Sequence, residues 1–501
     1  MSDHPHIIFI TADQMRFDCL SCYGNLGVQT PNLDALANES IVFDHAYCST
    51  PLCVPTRTSI GSGKWPHTTR AIINGNRNSR HESPWHVLGR EHRTFYETLC
   101  NTGYDLHHVG IQHIYADPSL EQRVPTTTII SSYDHEDYME SNGLPRTYHD
   151  FPDTDRDRDY VPAIEFDNGR MIAKRIPSAR YCRPFPYDLE HFKDVYFTRC
   201  MEAEIAAADP TTPSAFVFQA WAPHPPMFAP EPYFSMYNPE DIELPENVGR
   251  WYDGMPPHVL LGTGGIRGCQ LRRDEWKPIW AAYFGLVTLA DECIGRVVKA
   301  LKKHGFWEDA LVVFTMDHGE ALGSHRMFEK MTMYEESVHV PLFIKPPGGV
   351  THGRRSQMVG HVDIGPTLCD YAGAPAIPGA WGASLRPILE NTEAEWRDAT
   401  FAEFNGDQAR GFPSRAIFTE RYKYVFHFAA GEELYDLWND PLETRSLASD
   451  PAHQPLKNNL RERLTQWMKE TDDILDIERD AEFTPPDWAA ITRKSPPAGM
   501  A

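Results

Sequence analysis

Side chains that bind cations follow two short apolar runs of the sequence. Asp13 comes directly after HIIFITA, and the adjacent Asp317 and His318 come directly after ALVVFTM. Two carboxylates and an imidazole are ligands that suit a divalent cation, with Mn²⁺ or Ca²⁺ favoured and Mg²⁺ or Zn²⁺ as alternatives. The sequence therefore predicts one divalent metal ion at a site that these groups share.

A cysteine lies among turn-forming residues in the stretch CSTPLCVPTRTSI, residues 48–60. Arg57 follows Cys53 too closely for the phosphate cradle of a tyrosine-phosphatase type of nucleophile, and Ser59 stands where that arginine is needed. A cysteine–histidine hydrolase stays open on these residues, although it would not need metal-type ligands nearby. An inert buried thiol would leave the neighbouring Pro55 and Arg57 unexplained.

Two further residues could bind an anionic substrate. His224 is held between prolines in PHPP, and Lys330 lies twelve residues after His318. A lysine is a compact cation that suits an oxyanion. Each residue also has a plainer interpretation, as a structural histidine and as a solvated lysine.

The elements that must position these groups alternate between strands and helices. The predicted strands are residues 6–11, 41–47, 215–220, 310–315 and 340–344. Helices are predicted from Thr30-Pro31 and over 280–303, the latter ending at Gly305. This alternation predicts an α/β fold with a large, mostly parallel sheet sandwiched by helices. In such sheets functional groups collect beyond the carboxyl ends of the strands.

The chain of 501 residues is long enough for two domains. We predict a catalytic domain over 1–395, with an insertion at about 115–200 that shapes the rim of the pocket. Residues 396–501 are predicted as a small α+β domain with an antiparallel sheet, a helix and an extended tail. That tail could cross to a neighbouring subunit, so we expect a homo-oligomer.

Composition excludes some partners. The formal net charge of −23 disfavours binding to a nucleic acid backbone. No window approaches the roughly 20 apolar residues of a membrane span. The N-terminal stretch has neither the basic start nor the apolar length of a secretory signal, and the ten cysteines are scattered. We therefore expect a cytoplasmic protein without a membrane partner.

The sequence CVPTR, from Cys53 to Arg57, matches the C-x-P-x-R signature of the sulfatases. The chain therefore resembles this family of the alkaline phosphatase superfamily. Other matching segments follow in the expected order over nearly the whole chain. They are Asp13, TPNLD at 30–34, DHGE at 317–320, Lys330, YEES at 334–337, and LYDL before Asp440-Pro441. The fold that this resemblance implies is alkaline phosphatase-like.

The resemblance implies that Cys53 is oxidised to formylglycine (3-oxoalanine) by a formylglycine-generating enzyme, and that the hydrated aldehyde is the nucleophile. Asp13, Asp317, His318 and the modified Cys53 would hold the metal. Gln14 stands where many sulfatases have a second aspartate, which implies a weaker ligand.

The same resemblance implies roles for the surrounding cations and histidines. Arg57 would stabilise the alkoxide of the nucleophile. His224 and Lys330 would bind the ester and assist the leaving oxygen. His113 would deprotonate the second hydroxyl of the hydrate.

Three positions depart from the usual sulfatase pattern. Ile111 replaces the lysine of a Gly-Lys-x-His signature, although His113 is retained. His318 stands where many sulfatases have asparagine, and Asn74 fits a substrate-contact asparagine. The missing lysine, His318 and Asn74 are together similar to the branch that contains phosphonate monoester hydrolases.

The leading hypothesis is a sulfuric ester hydrolase that acts on small aryl sulfates. The close alternative is a hydrolase of phosphonate monoesters or phosphodiesters, with promiscuity between the two reactions. A metal-binding or regulatory protein in which Cys53 stays a thiol is a third hypothesis, and a structural scaffold is a fourth.

The chemical state of Cys53 separates the catalytic hypotheses from the regulatory one. We predict that the tryptic peptide spanning Cys53, from protein made in a host that can modify it, has the mass of the aldehyde or its hydrate. Mass spectrometry of that peptide is the measurement. A thiol mass alone, with a known sulfatase matured in the same host as the control, would favour the regulatory hypothesis.

Overall fold

The computed structural model describes residues 4–25, 27–75, 85–147, 163–167, 170–174, 182–252, 255–256, 259, 262–348, 353–407 and 411–480. Its strands are β1 (Ile7–Ala12), β2 (Ile41–Tyr47), β3 (Asp105–Gly110), β4 (Thr128–Ile130), β5 (Ala163–Asp167), β6 (Arg170–Lys174), β7 (Cys182–Pro184), β8 (Ser214–Gln219), β9 (Met227–Ala229), β10 (Leu311–Met316), β11 (Leu342–Lys345), β12 (Gly353–Gly360), β13 (Ala399–Phe404), β14 (Ser414–Thr419), β15 (Tyr422–His427) and β16 (Gly431–Asp436).

Its α-helices are α1 (Pro31–Asn38), α2 (Cys53–Ser62), α3 (Pro66–Thr69), α4 (Phe95–Asn101), α5 (Leu120–Arg123), α6 (Ser132–Ser141), α7 (Lys193–Ala207), α8 (Thr263–Gly268), α9 (Lys277–His304), α10 (Glu335–Val338), α11 (Ile364–Tyr371), α12 (Arg386–Glu390), α13 (Gln454–Glu470) and α14 (Ile477–Asp480).

The main sheet has eight strands in the spatial order β12-β2-β11-β10-β1-β8-β3-β4. All neighbouring pairs are parallel except the two that β11 makes with β10 and β2. Every residue of β1, IIFITA, is buried, as expected for a strand covered by helices on both faces. The α/β fold with a mostly parallel sheet is therefore confirmed.

The three central strands end at one edge of the sheet. Thr11 in β1 is in register with Thr315 in β10 and with Gln219 in β8. Because the strands are parallel, the residues that follow β1 and β10 emerge side by side. This register brings Asp13 and Asp317 together from positions 304 residues apart in the sequence.

Helix α9 is the longest helix and packs against α7 and α1. It begins with Pro278 in its first turn, where the missing amide hydrogen costs no hydrogen bond, and ends before Gly305, whose φ is +85°. The predicted helix over 280–303 thus exists and is one residue longer at its C-terminus and three longer at its N-terminus.

The segment 115–200 contributes to the main fold as well as to the surface. Strand β4 pairs with β3 at the edge of the sheet, and α7 packs against α9. Residues 148–162, 168–169 and 175–181 lie outside the described residues. The described ends of this segment are therefore integral to the large α/β unit.

The C-terminal part forms a four-stranded antiparallel sheet in the order β13-β14-β15-β16, against which α13 packs. Its core includes Ile417, Tyr424, Leu464 and Trp467, and Trp65 from the α/β unit packs into it. The predicted small α+β domain is confirmed as a fold. Of the tail that the sequence predicts as extended, residues 477–501, the first four form α14 and residues 481–501 lie outside the described residues. We propose the domain boundary at about residue 395.

None of the helices in the described ranges combines the length and the apolar character that a membrane span needs.

A buried ionic network joins the two sheets. His67 in α3 contacts the carboxylate of Glu403 in β13 through Nδ1, and its Nε2 donates to the carbonyl oxygen of Thr471 at 3.1 Å. Arg415 pairs with Asp473 beside them, with Nε–Oδ2 of 2.6 Å. Burial disfavours the charged ring, but attraction to Glu403 outweighs burial and raises the pKa of His67.

We predict that His67→Gln lowers the free energy of unfolding by about 3 kcal/mol near pH 6, because it removes the nearest cation from the buried Glu403. Because the pKa of His67 is raised in the folded protein, its charged ring stabilises the fold fully below the pKa of the unfolded chain, about 6.5. This contribution is lost as the pH rises through the pKa of His67 in the folded protein. The cost of the substitution should therefore shrink with increasing pH. Urea denaturation of both proteins over a pH series measures it.

His304→Gln, at the half-exposed end of α9, is the matched control and should change little. If the decrease in the free energy of unfolding caused by His67→Gln does not vary with pH, that result would contradict a charged His67.

Candidate active site

Cys53 is the first residue of α2, and every residue of that helix is buried. Its Sγ lies 3.1 Å from Nε2 of His318, which follows the end of β10. Burial and the nearby Asp13 raise the pKa of the Cys53 thiol, which keeps it protonated. A protonated thiol is a poor nucleophile, so this environment argues against the cysteine–histidine hydrolase.

Arg57 lies one helical turn after Cys53 and ties three strand ends together. Its Nη2 is 3.0 Å from Oδ2 of Asp13 and 3.0 Å from Oδ2 of Asp317. Its Nη1 donates to Oε1 of Gln219, the last residue of β8, at 2.7 Å. The guanidinium thus supplies the positive charge for two carboxylates that water does not reach.

This environment shifts the pKa values of the two carboxyl groups in opposite directions. Burial and repulsion from Asp317 raise the pKa of Asp13 to about 7, although Arg57 lowers it. Burial also disfavours ionisation of Asp317, but Arg57, His318 and the amide of Gln14 outweigh burial and hold its pKa below the usual range. Asp13 is therefore the carboxyl that lacks sufficient positive charge.

The side chains at this edge fit a divalent cation. Ligand atoms of Asp13, Cys53, Asp317 and His318 all lie within 4.8 Å of one another, and all four residues are buried. Oδ1 of Asp13 is buried, and no described residue donates a hydrogen bond to it. A cation here would satisfy that oxygen and compensate the excess negative charge.

His318 is oriented by the backbone. Its Nδ1 donates to the carbonyl oxygen of Gly319 at 3.0 Å, because a carbonyl can only accept. The remaining Nε2 therefore carries the lone pair and faces Cys53, as a metal-ligating histidine requires. Burial lowers the pKa of His318 to about 4, which keeps the ring neutral.

Gln14 adopts a left-handed backbone conformation, with φ of +66°, directly after Asp13. Its backbone amide donates to Oδ1 of Asp317 at 3.0 Å. Its side-chain amide donates to Glu320, and its side-chain oxygen accepts from Lys330. Gln14 thus lies at the predicted place, and its role as a metal ligand remains a proposal.

The structure brings Lys330 and His224 together. Lys330 Nζ donates to Nε2 of His224 at 3.2 Å, and Nδ1 of His224 donates to the carbonyl oxygen of Pro225 at 2.5 Å. Burial opposes the charge of Lys330, but Cys53 and the nearby carboxylates raise its pKa. Burial and Lys330 lower the pKa of His224, so the pair consists of a cation and a neutral ring.

Two predicted substrate-binding residues have different surroundings. His113 is half-buried, and its buried Nδ1 has no hydrogen-bond partner among the described residues. Burial, with Arg57, lowers the pKa of His113 to about 3. Asn74 instead accepts a hydrogen bond from the backbone amide of Val54 at 3.1 Å, which fixes the start of α2.

Ile111, which replaces a lysine, belongs to the apolar core and is fully buried. Its amide donates to the carbonyl oxygen of Gln219 at 2.9 Å. Because its surroundings are apolar, the position cannot accept a charge without a large desolvation cost.

Two residues that position the site were not predicted from the sequence. Gln219 ends an apolar strand, and its place after AFVF was the available signal. Asp194 accepts hydrogen bonds from the amides of Trp221 and Ala222 at 2.7 and 3.1 Å, which holds the loop that carries His224. Asp194 lies in a segment of weak periodicity, so its partners 27 and 28 residues away left no local signal.

A cavity of about 370 Å³ lies beside these groups. His113, His224, Tyr133, Lys193 and Trp221 are among the residues that line it. Its size is typical of a site for a small molecule. Several lining residues come from the segment 115–200 that the sequence analysis placed at the pocket rim.

Buried strand-end carboxylates, a helix-terminal cysteine and a bridging arginine on an eight-stranded α/β sheet define an alkaline phosphatase-like hydrolase site. The profile of the Sulfatase family matches residues 5–374, and that of the N-sulphoglucosamine sulphohydrolase C-terminal family matches residues 323–470. The chain belongs to the sulfatase family and is a hydrolase of sulfuric esters.

Individual relatives are similar over nearly their whole length. An arylsulfatase of Clostridium perfringens is 27% identical, over 93% of this chain and 94% of the relative. The multifunctional alkaline phosphatase superfamily protein PehA of Trinickia caryophylli is 28% identical, over 92% of this chain and 95% of the relative. The crystal structure of the phosphonate monoester hydrolase of Agrobacterium radiobacter has a TM-score of 0.75 and 26% identity, and the match covers 93% and 96% of the two chains. The resemblance to sulfatases near the phosphonate monoester hydrolase branch is confirmed.

We predict that Asp13→Asn weakens Mn²⁺ binding at least tenfold, roughly the loss typical of a disturbed metal site, because it removes the carboxylate with the unsatisfied oxygen. In the unsubstituted protein a proton competes for Asp13, whose pKa is about 7. Mn²⁺ affinity should therefore fall about tenfold for each pH unit below that value. Calorimetric titration of chelator-treated protein with Mn²⁺ measures both effects.

Asp450→Asn, at an exposed turn, should bind Mn²⁺ as the unsubstituted protein does. Equal Mn²⁺ affinity in the Asp13→Asn protein would show that the metal lies elsewhere.

Proposed function

We propose that this sulfatase hydrolyses aryl sulfate esters, with a formylglycine made from Cys53 and one divalent metal ion, Mn²⁺ or Ca²⁺. The cluster of Asp13, Cys53, Asp317 and His318 around the unsatisfied carboxylate oxygen is the observation that supports this proposal most directly.

The residues that would hold the metal are Asp13, Asp317, His318 and the modified residue 53, with Gln14 as a weaker ligand. When bound, the metal would lower the pKa of the nucleophile and offset negative charge on the transferring group. As its hydrate, formylglycine would supply a nucleophilic hydroxyl and a second hydroxyl that permits release of the product. Maturation by a formylglycine-generating enzyme is part of the proposal.

The chain's own cations bind the transferring group. Arg57 lies one turn from the nucleophile and holds Asp13 and Asp317 in place. Lys330 is charged, buried and donates to His224 at the cavity wall. A preorganised cation in a site without water stabilises a developing anion more than it would in solution.

Protons have defined donors and acceptors in this site. Lys330 Nζ carries the proton that it shares with Nε2 of His224, so the pair can protonate the leaving oxygen. Asp317 can accept the proton of the nucleophile. His113 is neutral, with an unpartnered Nδ1 among the described residues, and can accept the proton of the second hydroxyl.

The second candidate is hydrolysis of phosphonate monoesters or phosphodiesters. Similarity to a phosphonate monoester hydrolase structure and to a multifunctional superfamily protein favours it. The apolar surroundings of Ile111 also leave one cation fewer near the transferring group. We propose promiscuity between the two reactions, with sulfate esters preferred.

The cellular setting remains a proposal. None of the ten cysteines, all within the described residues, forms a disulfide, which supports the expected cytoplasmic location. The homo-oligomer also stays a proposal, because it depended on residues 481–501.

The discriminating experiment compares kcat/KM for 4-nitrophenyl sulfate and for 4-nitrophenyl phenylphosphonate. We expect a higher value for the sulfate. We also predict that Lys330→Met lowers kcat/KM for the sulfate by about a hundredfold or more, because it removes a preorganised cation. A preference for the phosphonate by orders of magnitude would establish the second candidate instead.

Lys303→Met, at the exposed end of α9, is the matched control and should leave both values unchanged. Cys53→Ala should abolish turnover of both esters, and residual activity in that variant would contradict the assignment of the nucleophile.

A further inference from the structure

Lys193 is a cation at the cavity that the proposed reaction does not use. It is the first residue of α7 and lines the cavity together with His113 and His224. Its ammonium lies 4.5 Å from the centre of the Trp221 ring. The Trp221 ring in turn lies 4.2 Å from the ring of His224. The Trp221 ring therefore contacts both Lys193 and His224.

The position of Lys193 is held by its neighbour in the sequence. Asp194 accepts hydrogen bonds from the amides of Trp221 and Ala222, which joins the start of α7 to the loop beneath the ammonium. The stacking of a cation on an aromatic face adds roughly 1 kcal/mol. The ammonium is thus presented to the cavity by a fixed support rather than by a flexible loop.

The protein compensates the charge of Lys193 only from a distance, through attraction to Glu136, Asp194 and Asp13. Within the part of the chain that the structure describes, no carboxylate lies within ion-pairing distance of its ammonium. Asp194 is occupied by backbone amides, and Glu136 in the cavity wall lies 3.7 Å from Arg146. Burial lowers the pKa of Lys193, and an anion bound beside the ammonium would favour its charged form.

The rest of the cavity wall suits an aromatic ring. Tyr115, Tyr133, Phe185, Trp221 and Phe228 all line it. Aromatic side chains pack favourably against a flat ring in offset or edge-on arrangements. A ring in this cavity would extend from the His224 side toward the ammonium of Lys193.

We infer that Lys193 binds a second anionic group on the leaving alcohol, so that the preferred substrates are aryl sulfates whose ring carries a carboxylate or a further sulfate. This inference rests on the proposed sulfate-ester hydrolysis. The sulfate that is cleaved lies at Lys330 and His224, and the second anion lies at the other end of the ring.

The test uses a matched pair of substrates, 4-carboxyphenyl sulfate and 4-carbamoylphenyl sulfate, which have nearly the same shape and differ in charge. The kcat/KM of the unsubstituted protein should be about tenfold or more higher for the carboxylate, because a charge-assisted hydrogen bond usually contributes about this factor. Lys193→Met should reduce this preference to about one, chiefly through loss on the carboxylate. Lys193→Arg should restore most of it.

Lys299→Met, at an exposed position of α9, is the control and should keep both the rates and the preference. Equal turnover of the two esters by the unsubstituted protein would overturn the inference and leave the sulfatase reaction standing. So would an equal loss on both esters in Lys193→Met, which would place the ammonium at the transferring group.

A calorimetric titration with 4-hydroxybenzoate and 4-hydroxybenzamide, the corresponding alcohols, makes the same comparison without turnover. If neither sulfate is hydrolysed, the proposed function fails, and the titration still decides the inference. Tighter binding of the benzoate that disappears in Lys193→Met supports it, and equal binding of the two alcohols overturns it.

Discussion

The active site depends on one buried guanidinium. Arg57 contacts Asp13 after β1, Asp317 after β10 and Gln219 at the end of β8, and it lies on the helix that begins with Cys53. Two carboxylates this close cannot both stay ionised away from water unless a cation lies between them. Since Cys53 and Arg57 are one helical turn apart, the ion pairs that hold the carboxylates also fix the position of Cys53.

Backbone carbonyls determine how the two central histidines act. His318 donates from Nδ1 to Gly319, and His224 donates from Nδ1 to Pro225, so both rings direct the lone pair of Nε2 into the site. One lone pair faces Cys53 and the other accepts from Lys330. The same ring chemistry therefore suits the proposed metal ligand in one place and the proposed proton relay in the other, because the groups opposite Nε2 differ.

The inner and outer parts of the site are built from different parts of the chain. The inner groups follow the central strands or begin α2, and the register of the sheet places them side by side. The outer wall comes largely from the segment 115–200 and from the loop after β8, which Asp194 ties to α7. The candidate metal ligands and the wall of the cavity are therefore positioned by different contacts.

Much of this arrangement could be read from local patterns. Uninterrupted apolar runs such as IIFITA and LVVFTM predict strands buried on both faces, and the polar residues after them predict a site at their ends. The spacing of Cys53 and Arg57 places both on one face of a helix whatever the rest of the chain does. Residue type and short spacing are therefore sufficient to predict that one site beyond the strand ends contains Asp13, Cys53, Arg57, Asp317 and His318.

Other features were decided only by contacts between distant segments. Asn74 fits a substrate contact by its place in the sequence, yet its side chain holds the amide of Val54. Ile111 lies in the core, and Lys193 reaches the cavity because α7 packs on α9 and Asp194 binds the loop after β8. A sequence determines which side chains are near one another along a strand or a helix turn. Pairing between segments depends on the packing of the whole sheet and its helices, and that packing leaves no local signature.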